Sequence, residues 1–311
     1  MECFYQNKEK ILNKSLEFFL NSNSIIPKIG IELEFFLLTK NLQAFDNQAQ
    51  IADFIFELKE KLLRNFSLIY QVEKEQGVSQ IEIKTIFTED LLALCYEIEN
   101  LKNFIEDFFV KKNLIASFIA QPFSDDCGSA LQINISLHEK DGGNLFEFNH
   151  QILNNVIVAL LDNTDFMMVF LAPKVEDYLR FSFELNRNLF KKGKYSAPIN
   201  LSFGSDNRSC AIRVPPVKKD VLNFKYGRRI EYRIPAAGAD SFLVISAILL
   251  VISHGIKNDL NPYKMGFKQI FGNAFDEQYE IKNFCQSLEE AEKKFFIENN
   301  FIRKKMTDFL K

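Results

Sequence analysis

The chain has 311 residues, 47% of them hydrophobic and 25% charged, with a formal net charge of −3. That apolar content suffices for a core and excludes disorder as the main state. Near-balance of 38 basic and 41 acidic residues lacks the clustered basic excess of a dedicated nucleic-acid binder, so no nucleic-acid partner is expected. Five scattered cysteines (Cys3, Cys95, Cys127, Cys210, Cys285) read as reduced thiols in a cytoplasmic protein, with neither disulfide nor zinc spacing.

In chain order, the apolar spacing predicts a helix over 7–21, and Ser22 to Pro27 interrupts it. The N-terminal MECFYQNKEK lacks the basic start and apolar stretch of a signal peptide. KIGIELEFFLL alternates as a strand, and residues 48–66 form an amphipathic helix. SQIEIKTIF is a second strand, with Thr88 as the N-cap of a helix over 89–111. SALQINISLHEKDGGNLF reads as a strand, a turn at Asp141-Gly142-Gly143 and a short return strand. A helix follows over 148–171, ended by Pro173, and the polar segment 180–196 reads as a surface loop. PINLSFG and CAIRVP form a strand pair, RRIEYRIP another strand, 241–255 a buried helix, and the tail from Ser287 is helical. The most apolar run, Phe242 to Ile252, falls far short of the ~20 residues that span a bilayer, so no membrane partner is expected.

Because the strands alternate in polarity, one sheet face packs and one stays open, which favours α+β with a largely antiparallel sheet. Residues two apart on a strand share a face, with α-carbons ~6.5–7 Å apart. The polar faces are Glu32 and Glu34; Gln80, Glu82 and Lys84; Gln132, Asn134 and Ser136; and Arg229, Glu231 and Arg233. Any one of these, taken singly, reads as a solvated face. Together they put carboxylates, amides and arginines beside strong core partners. Clustered carboxylates repel unless a cation sits between them, and oxygen ligands of this kind suit Mg²⁺ or Mn²⁺. Arginines alongside suit phosphate.

On these motifs the chain resembles the glutamine synthetase family, from about Gly30 to the C-terminus. GIELEFFLL is similar to its first metal strand and EQGVSQIEI to its second acidic motif. QPFSDDCGSALQINISLHEKDGGNLF resembles its nucleotide loop and FLAPKVEDYLR its substrate-arginine helix end. SFGSDNRSCAIRVP and RRIEYRIPAAGADSFL resemble its two arginine motifs. The resemblance implies an active-site funnel on an antiparallel sheet flanked by helices, with residues 1–28 as a helical leader and 29–311 as the catalytic domain. It implies ATP and two or more divalent ions as cofactors. Glu34, Glu75 and Glu82 would hold the first ion, and Glu32, Glu231 and Gln132 the second. Asn134, Ser136, Arg208 and Arg213 would contact the nucleotide, and Arg180, Gly128 and Arg233 the glutamate. Arg208 and Arg233 would act in catalysis. The implied reaction joins the γ-carboxylate of glutamate to ammonia through an acyl phosphate.

The departures from the family pattern are specific. Gln132 and Asn134 replace histidines, Cys127 replaces an asparagine, and Ser196 stands where a flap glutamate is expected. Glu184 is the only acid between Phe181 and Ser196, so it is the remaining candidate to accept the proton of ammonia. Only about thirty residues precede the first metal strand, so any homo-oligomer is expected to lack the family's shared-site double ring. A ligase using another amine, a degenerate relative that only binds, and a different carboxylate–amine ligase or phosphotransferase on the related guanidino-kinase scaffold stand as alternatives.

Overall fold

A computed structural model describes residues 1–221 and 224–311. The order begins with α1 (Glu2–Gln6), α2 (Lys8–Asn23), β1 (Ile26–Leu38), α3 (Gln48–Asn65), β2 (Ile69–Lys74) and β3 (Gln80–Thr85). It continues with α4 (Leu91–Val110), β4 (Ile115–Ser117), β5 (Leu131–His138), α5 (Leu145–Phe148) and α6 (His150–Leu171). A 3-10 turn over Val175–Phe181 leads into α7 (Phe183–Lys191), β6 (Phe203–Ser205) and β7 (Ile212–Val214). The hairpin β8 (Lys218–Val221) and β9 (Phe224–Tyr226) comes next, then β10 (Ile230–Tyr232), α8 (Ser241–Lys257), α9 (Leu288–Phe296) and α10 (Phe301–Leu310).

The main sheet runs β2-β3-β1-β5-β10-β7-β6, with β4 pairing to β1 beside this path. Every pairing is antiparallel except β6 with β7. Ile29, Ile31, Leu33, Phe35, Ile81, Ile83, Ile133 and Ile135 all join one core with the helices. The alternation therefore does what the sequence predicts: apolar parity packs on helices, and polar parity lines the other face. The fold is α+β with an open, mostly antiparallel sheet.

Behind the sheet, α8 is buried nearly end to end and packs against α2 and α6. Phe4, Ile11, Leu12 and Phe19, from the first two helices, belong to the same core as the strands. Among the described residues, α6 alone is long and apolar enough to cross a membrane, and it lies mostly buried against α8 and α9.

The structure adds the strand β2 and corrects three local expectations. β2 pairs with β3 although its alternation is weak, since only Ile69 and Val72 are buried on it. The cap of α4 is Asp90, whose carboxylate accepts from Ala93 N, while Thr88 Oγ1 accepts from Asp90 N and its backbone pairs with Ile29. After the 141–143 turn, only an isolated bridge forms between His138 and Asn144. Asn144 then caps a helical turn instead of opening a return strand. The segment read as a loop over 180–196 contains α7, capped by Ser182 and buried through Asn186 and Leu189.

Phe35 carries the packing of β1, fully buried with ring centroids 6.0 Å from Phe109 and 5.5 Å from Phe118. Phe35→Ala is expected to destabilise the chain by about 3–5 kcal/mol. Phe56→Ala, at a ring that is 71% exposed, should change stability by less than about 0.5 kcal/mol. Urea unfolding of the two variants separates them.

Candidate functional site

The sheet register lines up the polar faces. Glu34 lies opposite Glu82, and Glu82 opposite Glu73. In the next row Glu32 lies between Lys84 and Gln132, and one step further Asn134 lies between Gly30 and Glu231, which faces Arg213. These rows open into a polar cavity of about 150 Å³. Its described walls include five carboxylates (Glu32, Glu73, Glu75, Glu82, Glu231) and five cations (Lys84, Arg208, Arg213, Arg229, Arg233), with Gln132 between them.

Each carboxylate is satisfied differently. Glu34 is buried beneath the cavity, where its Oε2 accepts from Ala130 N (2.9 Å) and Gln80 Nε2 (3.2 Å) and its Oε1 from Gln132 Nε2 (2.5 Å). Burial, reinforced by the nearby Glu75 charge, pushes its carboxyl up to about 7. Lys84 Nζ lies 2.7 Å from Glu73, 2.8 Å from Glu82 and 3.7 Å from Glu32. Burial opposes the Lys84 charge, yet the Glu32 and Glu82 carboxylates hold its pKa above the ordinary lysine value. Burial also opposes ionisation of Glu73, but its hydrogen bond to Lys84 outweighs that and lowers its carboxyl. Glu82, deeper and flanked by Glu32, is pushed well up by burial despite the same lysine. Burial likewise opposes the Glu231 charge, and Arg233 and Arg213 overcome it. Arg213 Nη1 donates to Glu231 Oε2 at 2.7 Å, and Arg233 Nη1 donates to its Oε1.

The two amides act as relays. Gln132 accepts from Arg233 Nη1 (3.2 Å) while donating to Glu34, and Asn134 accepts from Arg229 Nε (3.1 Å) while donating to Glu32 (3.0 Å). Arg208 is exposed at the cavity wall and forms no hydrogen bond or ion pair with a described residue. The carboxylate of Glu75, in the turn after β2, has none either, and burial raises its pKa.

The structure does not bring every sequence-predicted residue to this cavity. Ser136 lies further along β5, where its hydroxyl meets His138 Nε2 at 2.9 Å. His138 Nδ1 lies 3.1 Å from Gly142 O and so carries the proton, which makes Ser136 the donor. Arg180 is fully buried, giving Nη1 to Ile234 O (2.7 Å) and Nη2 to Arg233 O (2.9 Å). As placed, both of its terminal nitrogens hold backbone carbonyls, of Ile234 and of Arg233. Glu184 is a correction: it sits exposed in the first turn of α7, where a carboxylate favours the helix N-terminus, outside the cavity.

The flap end at 194–196 is tied down instead by other groups. Lys194 Nζ pairs with Asp126 at 2.8 Å, Tyr195 N donates to Gln76 Oε1, and Ser196 Oγ accepts from Gly128 N at 2.9 Å. Arg233 Nη2 donates to Ser196 O. Gly128 has to be glycine here, because a Cβ would lie 2.7 Å from Ala120 O and Arg180 Cγ. Sequence reasoning missed Asp126 and Glu73; the strand face containing Lys84 gave a signal for a partner, but only the β2 register supplies Glu73.

The oxygen donors are of the kind hard divalent ions prefer, but they do not fit two such ions. Among the described residues no group of three or more His, Cys, Asp or Glu side chains stands ready to hold a metal. Glu231 has both oxygens on arginines, Gln132 already accepts from Arg233, and Lys84 lies among Glu32, Glu73 and Glu82.

The catalytic-domain model of glutamine synthetase matches residues 41–310. The chain belongs to the glutamine synthetase family. It is 26% identical to gamma-glutamylputrescine synthetase PuuA of Escherichia coli (strain K12), over 92% of this chain and 61% of that protein. It is 30% identical to the glutamine synthetase of Sulfolobus acidocaldarius over 67% of this chain and 43% of that one. With the glutamine synthetase of Clostridium saccharobutylicum it shares 28% identity over 90% and 64%. The chain thus spans about half to two thirds of the length of these relatives. In fold it is similar to the GmaS/ADP complex, with a TM-score of 0.82 at 20% identity over 97% of this chain and 71% of that one.

The raised carboxyl of Glu34 has a pH consequence. Held at about 7 when folded, against an ordinary 4.5, it keeps its proton in the folded state across that window. The folded state then binds more protons than the unfolded one, so stability falls as pH rises from about 4.5 to about 7. In metal-free buffer, urea midpoints of the parent chain should fall over this range, by up to about 3 kcal/mol from this group. Glu34→Gln should flatten the decline, and an unchanged slope would remove Glu34 as its source.

Proposed function

We propose that this chain carries the active site of an ATP-dependent ligase that joins the γ-carboxylate of glutamate to an amine. In the reaction, a carboxylate oxygen attacks the γ-phosphorus and ADP leaves. The amine nitrogen then attacks the acyl carbon, phosphate leaves, and the nitrogen gives its proton to the departing phosphate or to solvent. The observation that carries this reading is Arg208: a guanidinium without a hydrogen bond or ion pair among the described residues, at the wall of a cavity where Arg213 and Arg233 are already held by Glu231 and Arg229 by Asn134. Phosphoryl transfer requires cations fixed where charge develops, and preorganised donors cost no reorganisation at that moment. Arg213 and Arg233 are fixed by Glu231, and Arg208 is left for the phosphoryl oxygens. Asn134 and Arg229 border the nucleotide side of this reading, and Gly128 and Arg233 the glutamate side. Arg180 supports it by holding the backbone of residue 233.

An organic amine is favoured over ammonia. Ser196 offers no carboxylate at the flap, Glu184 faces solvent, and Asp126, the acid at the flap end, is paired with Lys194. Among the described residues the flap thus offers no free carboxylate to hold ammonium, whereas an organic amine can be held through contacts to its substituent. The name of the relative gamma-glutamylputrescine synthetase is in keeping with such a substrate class.

The test is glutamate-dependent ADP release with a panel of amines, ammonia included. Turnover is expected with an organic amine and is expected to fall about 10²–10³-fold in Arg208→Ala. Ammonia as the sole competent acceptor would overturn the amine preference. ADP release unaffected by Arg208→Ala would remove Arg208 from the phosphoryl site, and no glutamate-dependent release with any amine would overturn the ligase reading.

A further inference from the structure

Lys84 leaves β3 on the polar face, where acids from three strands meet. Its ammonium contacts Glu73 of β2, Glu82 of its own strand and Glu32 of β1, and its side chain is only 20% exposed. Glu73 lies outside every ligand set that the family resemblance implies, yet it makes the shortest of these contacts. Gln71 Nε2 steadies Glu73 by donating to its other carboxylate oxygen at 2.6 Å. The lysine thus has a holder of its own, and the surrounding donors are engaged elsewhere: Glu231 by two arginines and Gln132 by Arg233.

We propose that Lys84 is a resident cation of the acidic row, standing in for one of two divalent ions, so that the folded chain takes at most one. This rests on reading the site as that of a nucleotide-using ligase. An ammonium suits the gap because it donates three hydrogen bonds at ordinary hydrogen-bond lengths. A Mg²⁺ ion would need oxygens at ~2.0–2.1 Å in near-octahedral array, and it could not share the gap with a tethered positive charge. Glu75, whose carboxylate has no hydrogen-bonding partner among the described residues, is the oxygen ligand left for a single ion.

The experiment counts Mn²⁺ ions per chain by electron paramagnetic resonance, in the parent protein and in Lys84→Met. Methionine keeps the length of the side chain and removes its charge. The parent chain is expected to bind no more than one ion, and Lys84→Met one more than the parent. Two ions in the parent chain, or no gain in Lys84→Met, would overturn the proposal. Removing the lysine leaves buried carboxylates without a counter-charge, so folding of the variant is followed by thermal melting with and without Mn²⁺. Mn²⁺ is expected to raise the melting temperature of Lys84→Met more than that of the parent, or to restore its folding, and failure to do either overturns the proposal. ADP binding by the parent chain, measured separately, bears on the ligase reading alone.

Discussion

Repulsion among carboxylates in line across β1, β2 and β3 is the constraint around which the site is arranged. Glu34, Glu82 and Glu73 face one another in register. Unit charges 4 Å apart interact by ~4 kcal/mol at the effective dielectric of a protein surface. The chain meets this in three ways. Glu34 is buried and keeps a proton up to about pH 7. Glu82 and Glu73 share the Lys84 ammonium, and Glu231 lies between two arginines. The hydrogen bonds to Glu34 come from neutral donors, Gln80, Gln132 and the backbone of Ala130.

The same logic reaches the flap. Arg233 is oriented by Glu231 and Gln132 on one side and by Ser196 O on the other. Its backbone carbonyl is held in turn by the buried Arg180. Asn186 on α7 donates to Arg180 O and accepts from Ala197 N. The flap helix, the buried arginine and the site arginine thus form one hydrogen-bonded chain. A guanidinium that is fully buried on carbonyls is costly to ionise, and burial lowers its pKa to about 10. That cost is consistent with a positioning role, since the charge faces no counter-ion at bonding distance.

Strand faces were legible in the sequence because a period of two fixes parity regardless of tertiary context. GIELEF, QIEIK and LQINIS therefore gave the core face, and their opposite face brings Glu32, Glu82, Lys84 and Gln132 to one cavity. What parity cannot give is register, the property that brings Glu73 to Lys84 and Glu231 between two arginines. β2 was missed because only two of its residues are buried, three apart, which breaks the alternation, and its pairing with β3 is bulged. α7 was missed because its polar residues masked a buried stripe of two, although Ser182 was a legible cap. Glu184 shows the limit of counting acids along a segment: the helix that carries it turns it outward.

The replacements in this site are mutually dependent. Where the family pattern has two histidines, the chain has Gln132 and Asn134, and each amide links an arginine to a glutamate. A neutral imidazole could make the same two bonds, but beside this many carboxylates it would be driven to take up a proton. It would then donate on both sides and face an arginine as a like charge. The amides cannot be charged, so the relay keeps its direction at every pH. With them neutral, the described cavity wall balances its five carboxylates with four arginines and Lys84. Remove Lys84 and the wall is left one negative charge in excess, at the place where three acids meet. Lysine on β3 and amides on β5 are therefore two halves of one electrostatic solution, in which the protein itself supplies positive charge to the acidic row.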